Sequence, residues 1–198
     1  MQTIQIAALL LMVVFYVAYF AKMLLQRRRG IRTDQMGVGA VGKPWRVLVI
    51  ERLMKGATYA IVVVETVSIV GDLRLWRASA AWVGIGIAAL GVLVFIIAMV
   101  TMRDSWRAGI PEADKTTLVT TGIYRFSRNP AFLGFDLMYL GLLIAFFNYL
   151  HLVFALFAMV MLHLQILQEE RFLADSFGEE YRTYQRRTGR YLIFDRTP

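Results

Sequence analysis

Between Ala81 and Met102 the chain runs for twenty-two residues without a charged side chain. As a helix rising 1.5 Å per residue, such a run matches a bilayer hydrocarbon core of about 30 Å. Four more segments read the same way. They are Ile4–Leu25, closed by Arg27, Arg28 and Arg29; Lys55–Val70, with a helical lead-in from Trp45; Ala131–Phe147; and Leu150–Leu167. Only 18% of the residues are charged and 58% are hydrophobic, where a soluble domain carries about 25% charged residues. The expectation is an all-α, polytopic integral membrane protein with five transmembrane helices, the last two forming a tight hairpin at Asn148.

Basic residues order these spans. Eight Lys or Arg lie between Gln26 and Lys55, five between Arg103 and Pro130, and six after Leu167. Residues 1–3 and the Asn148 turn carry none, and the Gly71–Ala80 loop carries only Arg74 and Arg77. By the positive-inside rule the N-terminus is expected outside, with the C-terminus and both polar segments facing the cytoplasm. The net charge of +8 therefore belongs to topology and to anionic lipid, not to nucleic acid. The first span lacks a basic leader and a small-residue cleavage site, so it reads as a retained helix and not a signal peptide. With no cysteine, disulfides, thiolate metal sites and a cysteine nucleophile are excluded. No internal repeat or low-complexity linker is visible. Residues 1–102 read as a three-helix membrane scaffold, and polar chemistry gathers in 103–198.

That chemistry has two parts. The first is the stretch LVTTGIYRFSRNPAFLG, from Leu118 to Gly134, in which Gly122 and Gly134 bracket a polar turn holding Tyr124, Arg125, Ser127, Arg128 and Asn129. Pro130 falls at the first turn of the fourth helix, where its missing N–H is harmless. Free N–H groups there, with Arg128, suit an anion such as a carboxylate. The plainer reading is an ordinary helix start with snorkelling arginines. The second part is Glu169-Glu170, which follows a fully apolar span. Adjacent carboxylates repel, and the C-terminal half of a helix disfavours them unless a cation or donor balances the cost. Alone they read as an exposed acidic continuation answered by Arg171 and the tail arginines. The hairpin, however, returns both parts to the same membrane face, which points to a small bound cofactor.

Other features carry less. In the tail, Phe177, Tyr181, Tyr184 and Tyr191 interleave with Arg182, Arg186, Arg187 and Arg190, a pattern suited to lying on headgroups or capping a site. Glu65 and Asp136 are intramembrane acids, to be read either as functional groups or as partners of a neighbouring helix. His163 lies seven residues before Glu170 on roughly the same helix face, where packing is the commoner role than ligation. His151 is about 18 Å farther along that helix, too far to share a metal with it. No metal site, P-loop, dinucleotide fingerprint or Ser-His-Asp order is present in the sequence.

From about Trp106 to Leu192 the chain resembles the isoprenylcysteine carboxyl methyltransferase family, which is itself similar to phospholipid methyltransferases. The likeness rests on LVTTGIY, RNPAFLG, the Glu169-Glu170 pair and FGEEYRTY in that order. It implies S-adenosylmethionine as cofactor, bound in a cytoplasmic cap over the last two helices, in a region spanning 103–198. Cofactor contacts carried over by the resemblance fall on Thr116, Thr117, Leu118, Val119, Tyr124, Asn129, Pro130, Ala131, Phe132, Glu169 and Glu170, with Glu169 the stronger of the pair; the reading of the turn itself adds Gly122, Arg128 and Gly134. Arg171 or a tail arginine would orient the acceptor, and Tyr124 or His163 would take a proton where the acceptor is an amine or thiol. The implied partners are a lipophilic small-molecule or lipidated acceptor and membrane lipids. Five spans resemble the compact prokaryotic members, which implies the cytoplasmic membrane of a prokaryote. Two departures stand out: Phe132 replaces the family's usual tyrosine, and Gln165 takes the place of a substrate-facing arginine four residues before Glu169.

Two other readings compete. Sterol and steroid reductases resemble this chain around the same turn and would imply NADPH, but they carry His-Pro-Asn-Tyr where this chain has Asn-Pro-Ala-Phe. A non-enzymatic membrane scaffold would bind neither cofactor.

Overall fold

The computed structural model describes residues 1–31, 45–75, 78–106 and 117–192. Among them every regular element is helical: α1 (Thr3–Arg28), α2 (Trp45–Val70), α3 (Ala78–Met102), α4 (Pro130–Ala145) and α5 (Tyr149–Arg187), with short 3-10 turns at Arg103–Ser105 and Gly122–Arg125. Three of the five, α1, α3 and α5, are long and apolar enough to cross a membrane, while α4 is apolar but has only 16 residues. The chain is an integral membrane protein by that measure. The expected lead-in from Trp45 is continuous with α2.

Helices alternate in direction, and polar side chains tie their ends. Gln5, near the start of α1, donates to the carbonyl of Ile69 at the end of α2 at 2.8 Å. At the opposite end, Gln26 donates to the carbonyls of Arg103 and Trp106, both at 3.3 Å. Asn148 caps α5 by accepting from the His151 N–H at 2.9 Å, and its amide donates to Ser68 at 2.9 Å. The core between α1, α3 and α4 is aromatic. Phe15 stacks on Phe95 with ring centroids 4.3 Å apart, and Phe135 packs edge-on against both.

Helices α3 and α4 meet along glycines. A Cβ on Gly91 would lie 2.6 Å from the Met138 nitrogen and 2.7 Å from the Gly134 oxygen, and one on Gly84 or Gly141 would lie closer still to the facing backbone. Hydrocarbon offers no hydrophobic drive between helices, so close backbone approach through small residues is what holds such a pair.

The fifth helix continues past Glu169-Glu170 into the polar tail. Its apolar part ends at Leu167, but the helix continues to Arg187, 39 residues in all. The part before Gly178, from Tyr149 to Phe177, is about 44 Å at 1.5 Å per residue, longer than a hydrocarbon core of about 30 Å, so its polar end outruns an apolar slab of that thickness. There it bends at Gly178, where φ is 53° and ψ is −124°, a backbone conformation costly for any residue with a Cβ. Beyond the bend the chain turns back onto the segment before α4.

Candidate active site

The polar turn and the tail are joined through Glu170. Its Oε1 accepts from Arg128 at 2.9 and 3.1 Å and from Asn129 at 3.0 Å, and its Oε2 accepts from Arg190 at 2.9 and 3.1 Å. Arg128 also donates to the carbonyls of Thr188 at 2.6 Å and Gln185 at 3.2 Å, and its backbone N–H to Gly189 at 3.0 Å. Ser127 and Asn129 both donate to the Arg190 carbonyl, and the Tyr184 hydroxyl donates to the Tyr124 carbonyl at 2.6 Å. Glu170 lies beyond the apolar stretch of α5. Burial alone would raise its carboxyl, but the hydrogen bonds from Arg190 and Arg128, the Arg128 charge and the Asn129 amide outweigh it and hold the group below its ordinary value. The carboxylate that the Arg128 turn suits is thus one supplied by the chain itself.

Glu169, one residue earlier, points elsewhere. A helix turns about 100° per residue, so where Glu170 meets the turn, Glu169 faces a cavity of about 410 Å³. Ala131, Phe132 and Phe135 of α4 form one wall, with Leu162 of α5, Phe95 of α3 and the indole of Trp106. Helices α1 and α2 supply the remainder, including Tyr16, Tyr19, Lys55 and Thr58. Phe20 of α1 and Tyr59 of α2 line it while 55% and 62% exposed, so on that side the cavity reaches the molecular surface. Gln165, fully buried, donates to Glu169 at 3.1 Å, and its own Oε1 has no partner among the described residues. Tyr124 is buried beside Glu169 as well. Burial, then Tyr184 and Glu169, push its phenol well above the ordinary value. It keeps its proton at neutral pH and is suited to donate a hydrogen bond.

Of the remaining candidates, Thr116 lies outside the described residues. Thr117 shares a 2.9 Å hydrogen bond with Ser105 at the surface, and Leu118 and Val119 are half-buried. Gly122 starts a 3-10 turn under Thr101, and Pro130 opens α4 at its first position. Gly134 faces Phe95 and Gly91 in the α3–α4 seam. His163 hydrogen-bonds the Tyr191 hydroxyl at 2.7 Å and stacks on its ring, and Arg171 is exposed. The cavity residues of α1 and α2 carried no signal in the sequence, because Tyr16 and Tyr19 look like any aromatic in an apolar run. Lys55 was the one available hint, a cation at the edge of a span.

The model of the phospholipid methyltransferase family matches residues 79–180, just over half of the chain. The chain belongs to the phospholipid methyltransferase family. The match begins at α3 and ends just past the Gly178 bend, so the family segment holds the glycine seam, the polar turn and both glutamates. Among curated proteins, it is similar to methanethiol S-methyltransferase of Pseudomonas sp. (31% identical over 117 residues, 54% of this chain and 42% of that one). A second methanethiol S-methyltransferase, from Bradyrhizobium diazoefficiens, is 33% identical over 86 residues, 43% of this chain and 30% of the relative. A probable protein-S-isoprenylcysteine O-methyltransferase of Oryza sativa is 31% identical over 117 residues, 58% and 61% of the two chains. The matches therefore span between about a third and three fifths of these relatives' length.

Proposed function

We propose that this protein is an integral membrane methyltransferase that takes its methyl group from S-adenosylmethionine and passes it to a lipophilic acceptor reached from the bilayer. Family membership supports the reaction class. The observation that carries the reading is Glu169, a carboxylate set in the wall of a mainly aromatic and aliphatic cavity whose other polar lining residues include Lys55 and Thr58. When bound, the cofactor would supply a methyl group on a positively charged sulfur. The residues present suit such a group. Glu169 can balance its ammonium or accept from its ribose hydroxyls, and Tyr124 and Gln165 add hydrogen bonds beside it. The Tyr19, Phe132 and Phe135 rings and the Trp106 indole offer faces to a cation.

Transfer to an anionic acceptor such as a thiolate or carboxylate cancels the sulfonium charge, so a cavity poor in water favours it, whereas a neutral amine or thiol takes the charge over until it loses a proton; in both, positioning supplies much of the acceleration. In this reading Glu170 positions the site without touching the methyl group, by fastening the tail over the turn. All five helices cross the bilayer, the N-terminus lies outside, and the turn, Glu169 and the tail form a cap on the cytoplasmic face of a prokaryotic membrane. The opening between α1 and α2 admits the acceptor from lipid. The methanethiol enzymes among the relatives are named for a thiol and the Oryza protein for a prenylated cysteine, which brackets the acceptor as small or lipidated.

Thermal melting of the purified protein with S-adenosylhomocysteine and, in parallel, with NADPH tests this. A ligand at a hundred times its dissociation constant adds about 2.7 kcal/mol. The expected result is a shift with S-adenosylhomocysteine alone, lost in Glu169→Ala. A shift with NADPH alone would overturn the assignment in favour of a reductase, and no shift with either would favour a scaffold.

A further inference from the structure

Among the described residues that line the cavity, Lys55 and Glu169 carry charge. They stand at different depths. Gln5 of α1 donates to the Ile69 carbonyl of α2, which brings those two residues level. The helices run in opposite directions, so Tyr19, fourteen residues after Gln5, comes level with Lys55, fourteen before Ile69. Tyr16 and Thr58, each eleven residues along, match in the same way, and all four line the cavity. On the other side Asn148, at the start of α5, donates to Ser68 of α2. Lys55 lies thirteen residues from Ser68 and Glu169 twenty-one from Asn148, about 20 and 32 Å along the two helices. The Lys55 backbone is therefore about 12 Å deeper than that of Glu169.

The wall around this lysine is largely aromatic, with Tyr19, Phe95 and Phe135. In such surroundings an ammonium attracts an anion and repels a second cation more strongly than in water. It has three N–H donors, so it can serve the buried Glu51, one turn back on the same face of α2, and still meet a guest. Methyl acceptors fall into classes that a fixed cation separates. An alkyl amine is protonated in neutral water, and its free base gains positive charge as it takes a methyl group. Lys55 opposes both states. A carboxylate or a thiolate is attracted instead, and a neighbouring cation favours the ionised form of a thiol.

We propose that Lys55 holds the reacting group of the acceptor as an anion, a carboxylate or a thiolate, and that the cavity thereby discriminates against amines. The inference rests on the methyltransferase reading and narrows it. Glu169 and Lys55 are far enough apart along the cavity to hold two guests, the donor at one and the acceptor at the other. A thiol releases its proton to water before transfer, and a carboxylate has none to lose. The anionic oxygen or sulfur then bonds to the methyl carbon as the carbon–sulfur bond of the donor breaks. That electron pair stays on the donor sulfur, which becomes neutral. The product, a methyl ester or a methyl thioether, is neutral too and loses its attraction to Lys55, so charge distinguishes acceptor from product.

The test uses the full chain in lipid nanodiscs, saturated with S-adenosylhomocysteine, and reads thermal stabilisation by octanoate and by octan-1-amine. Octanoate is expected to bind about ten- to a hundredfold more tightly, the scale of one charge-assisted hydrogen bond. Lys55→Met, similar in length but uncharged, should bring that ratio near one, and Lys55→Arg should keep it. Neither variant should change the affinity for S-adenosylhomocysteine. With S-adenosylmethionine and octane-1-thiol, the rate of methyl thioether formation should need a higher pH in Lys55→Met, whereas ester formation from octanoate should fall without that shift. These two arms separate a thiolate acceptor from a carboxylate. Equal binding of octanoate and octan-1-amine to the wild-type protein would overturn the inference, and this comparison stands even where Lys55→Met fails to fold. A preference that survives Lys55→Met, or faster methylation of octan-1-amine than of the anions, would overturn it as well. A Lys55-dependent preference with no methylated product from any probe would keep the anion site and sink the methyltransferase reading instead.

Discussion

Arg128 and Glu170, forty-two residues apart in sequence, meet at 2.9 Å with side chains only 11% and 6% exposed. Removing one partner of a buried pair strands the other, at about 3–5 kcal/mol. Arg128→Ala is expected to fall somewhat below that, at about 2–4 kcal/mol, because Arg190 and Asn129 still hold the carboxylate while the hydrogen bonds to Thr188 and Gln185 are lost. Arg190 holds the same carboxylate, but its side chain is 37% exposed and solvent screens it, so Arg190→Ala should cost about 1 kcal/mol or less. Chemical unfolding of the two variants side by side checks the order, and equal losses would argue against a buried anchor at Arg128.

Acid should loosen the tail. The Glu170 carboxyl lies below its ordinary value of 4.5 in the folded chain, so protonation favours the state in which the clasp is open. Its contribution is complete above that ordinary value and is lost as pH falls through the lower folded one. Hydrogen exchange in residues 179–190, followed from neutral pH downward, should accelerate in that acid window. Glu170→Gln should show the faster exchange already at neutral pH. Identical profiles for the two proteins would assign the acid sensitivity to another group.

The two neighbouring glutamates should separate by assay. Glu169→Gln keeps the fold, because Glu169 faces the cavity and not the clasp. It should weaken S-adenosylhomocysteine binding by about ten- to a hundredfold, the scale of one charge-assisted hydrogen bond, with little change in the ligand-free melting temperature. Glu170→Gln should lower both. Titration calorimetry with melting curves distinguishes them, and matching behaviour would mean that the carboxylates act as one unit.

The glycine seam gives a packing test. A methyl at Gly91 meets backbone atoms at 2.6 and 2.7 Å, which cannot swing aside as a side chain can. Gly91→Ala is expected to cost about 1–3 kcal/mol. Gly86 on the same helix has nothing within 4 Å of a new Cβ, so Gly86→Ala should be neutral or gain up to about 1 kcal/mol of helix propensity. Melting both in one lipid composition decides it.

The helices were legible because bilayer thickness sets a length that apolar runs must meet, and Ala81–Met102 and Ile4–Leu25 meet it. So was the continuation of α5 past Glu169-Glu170; its bend at Gly178 and its end at Arg187 were not, since the polar tail has no apolar run to set a length. Sequence also brought the turn and the glutamates to one end of the hairpin. The family resemblance put Glu169 first, but the residues themselves could not tell it from Glu170, because their roles depend on the azimuth of α5 as fixed by Arg128 and Arg190. Nor could the sequence find Tyr16 and Thr58, which line the cavity only once α1 and α2 are brought against α4 and α5. An isolated Glu65 in a span signalled a polar purpose without naming its neighbours.

Glycine contact along α3 and α4 has a mechanical corollary. Two backbones already touching cannot be squeezed further, and they part only by giving up the packing that joins them. Whatever breathing a bulky guest requires must then be borne by α1 and α2, where the wall consists of long, yielding side chains such as Phe20, Met23 and Tyr59. The molecule is stiff on the side inherited with its family and compliant on the other, so differences in guest among its relatives should be written mainly in the first two helices.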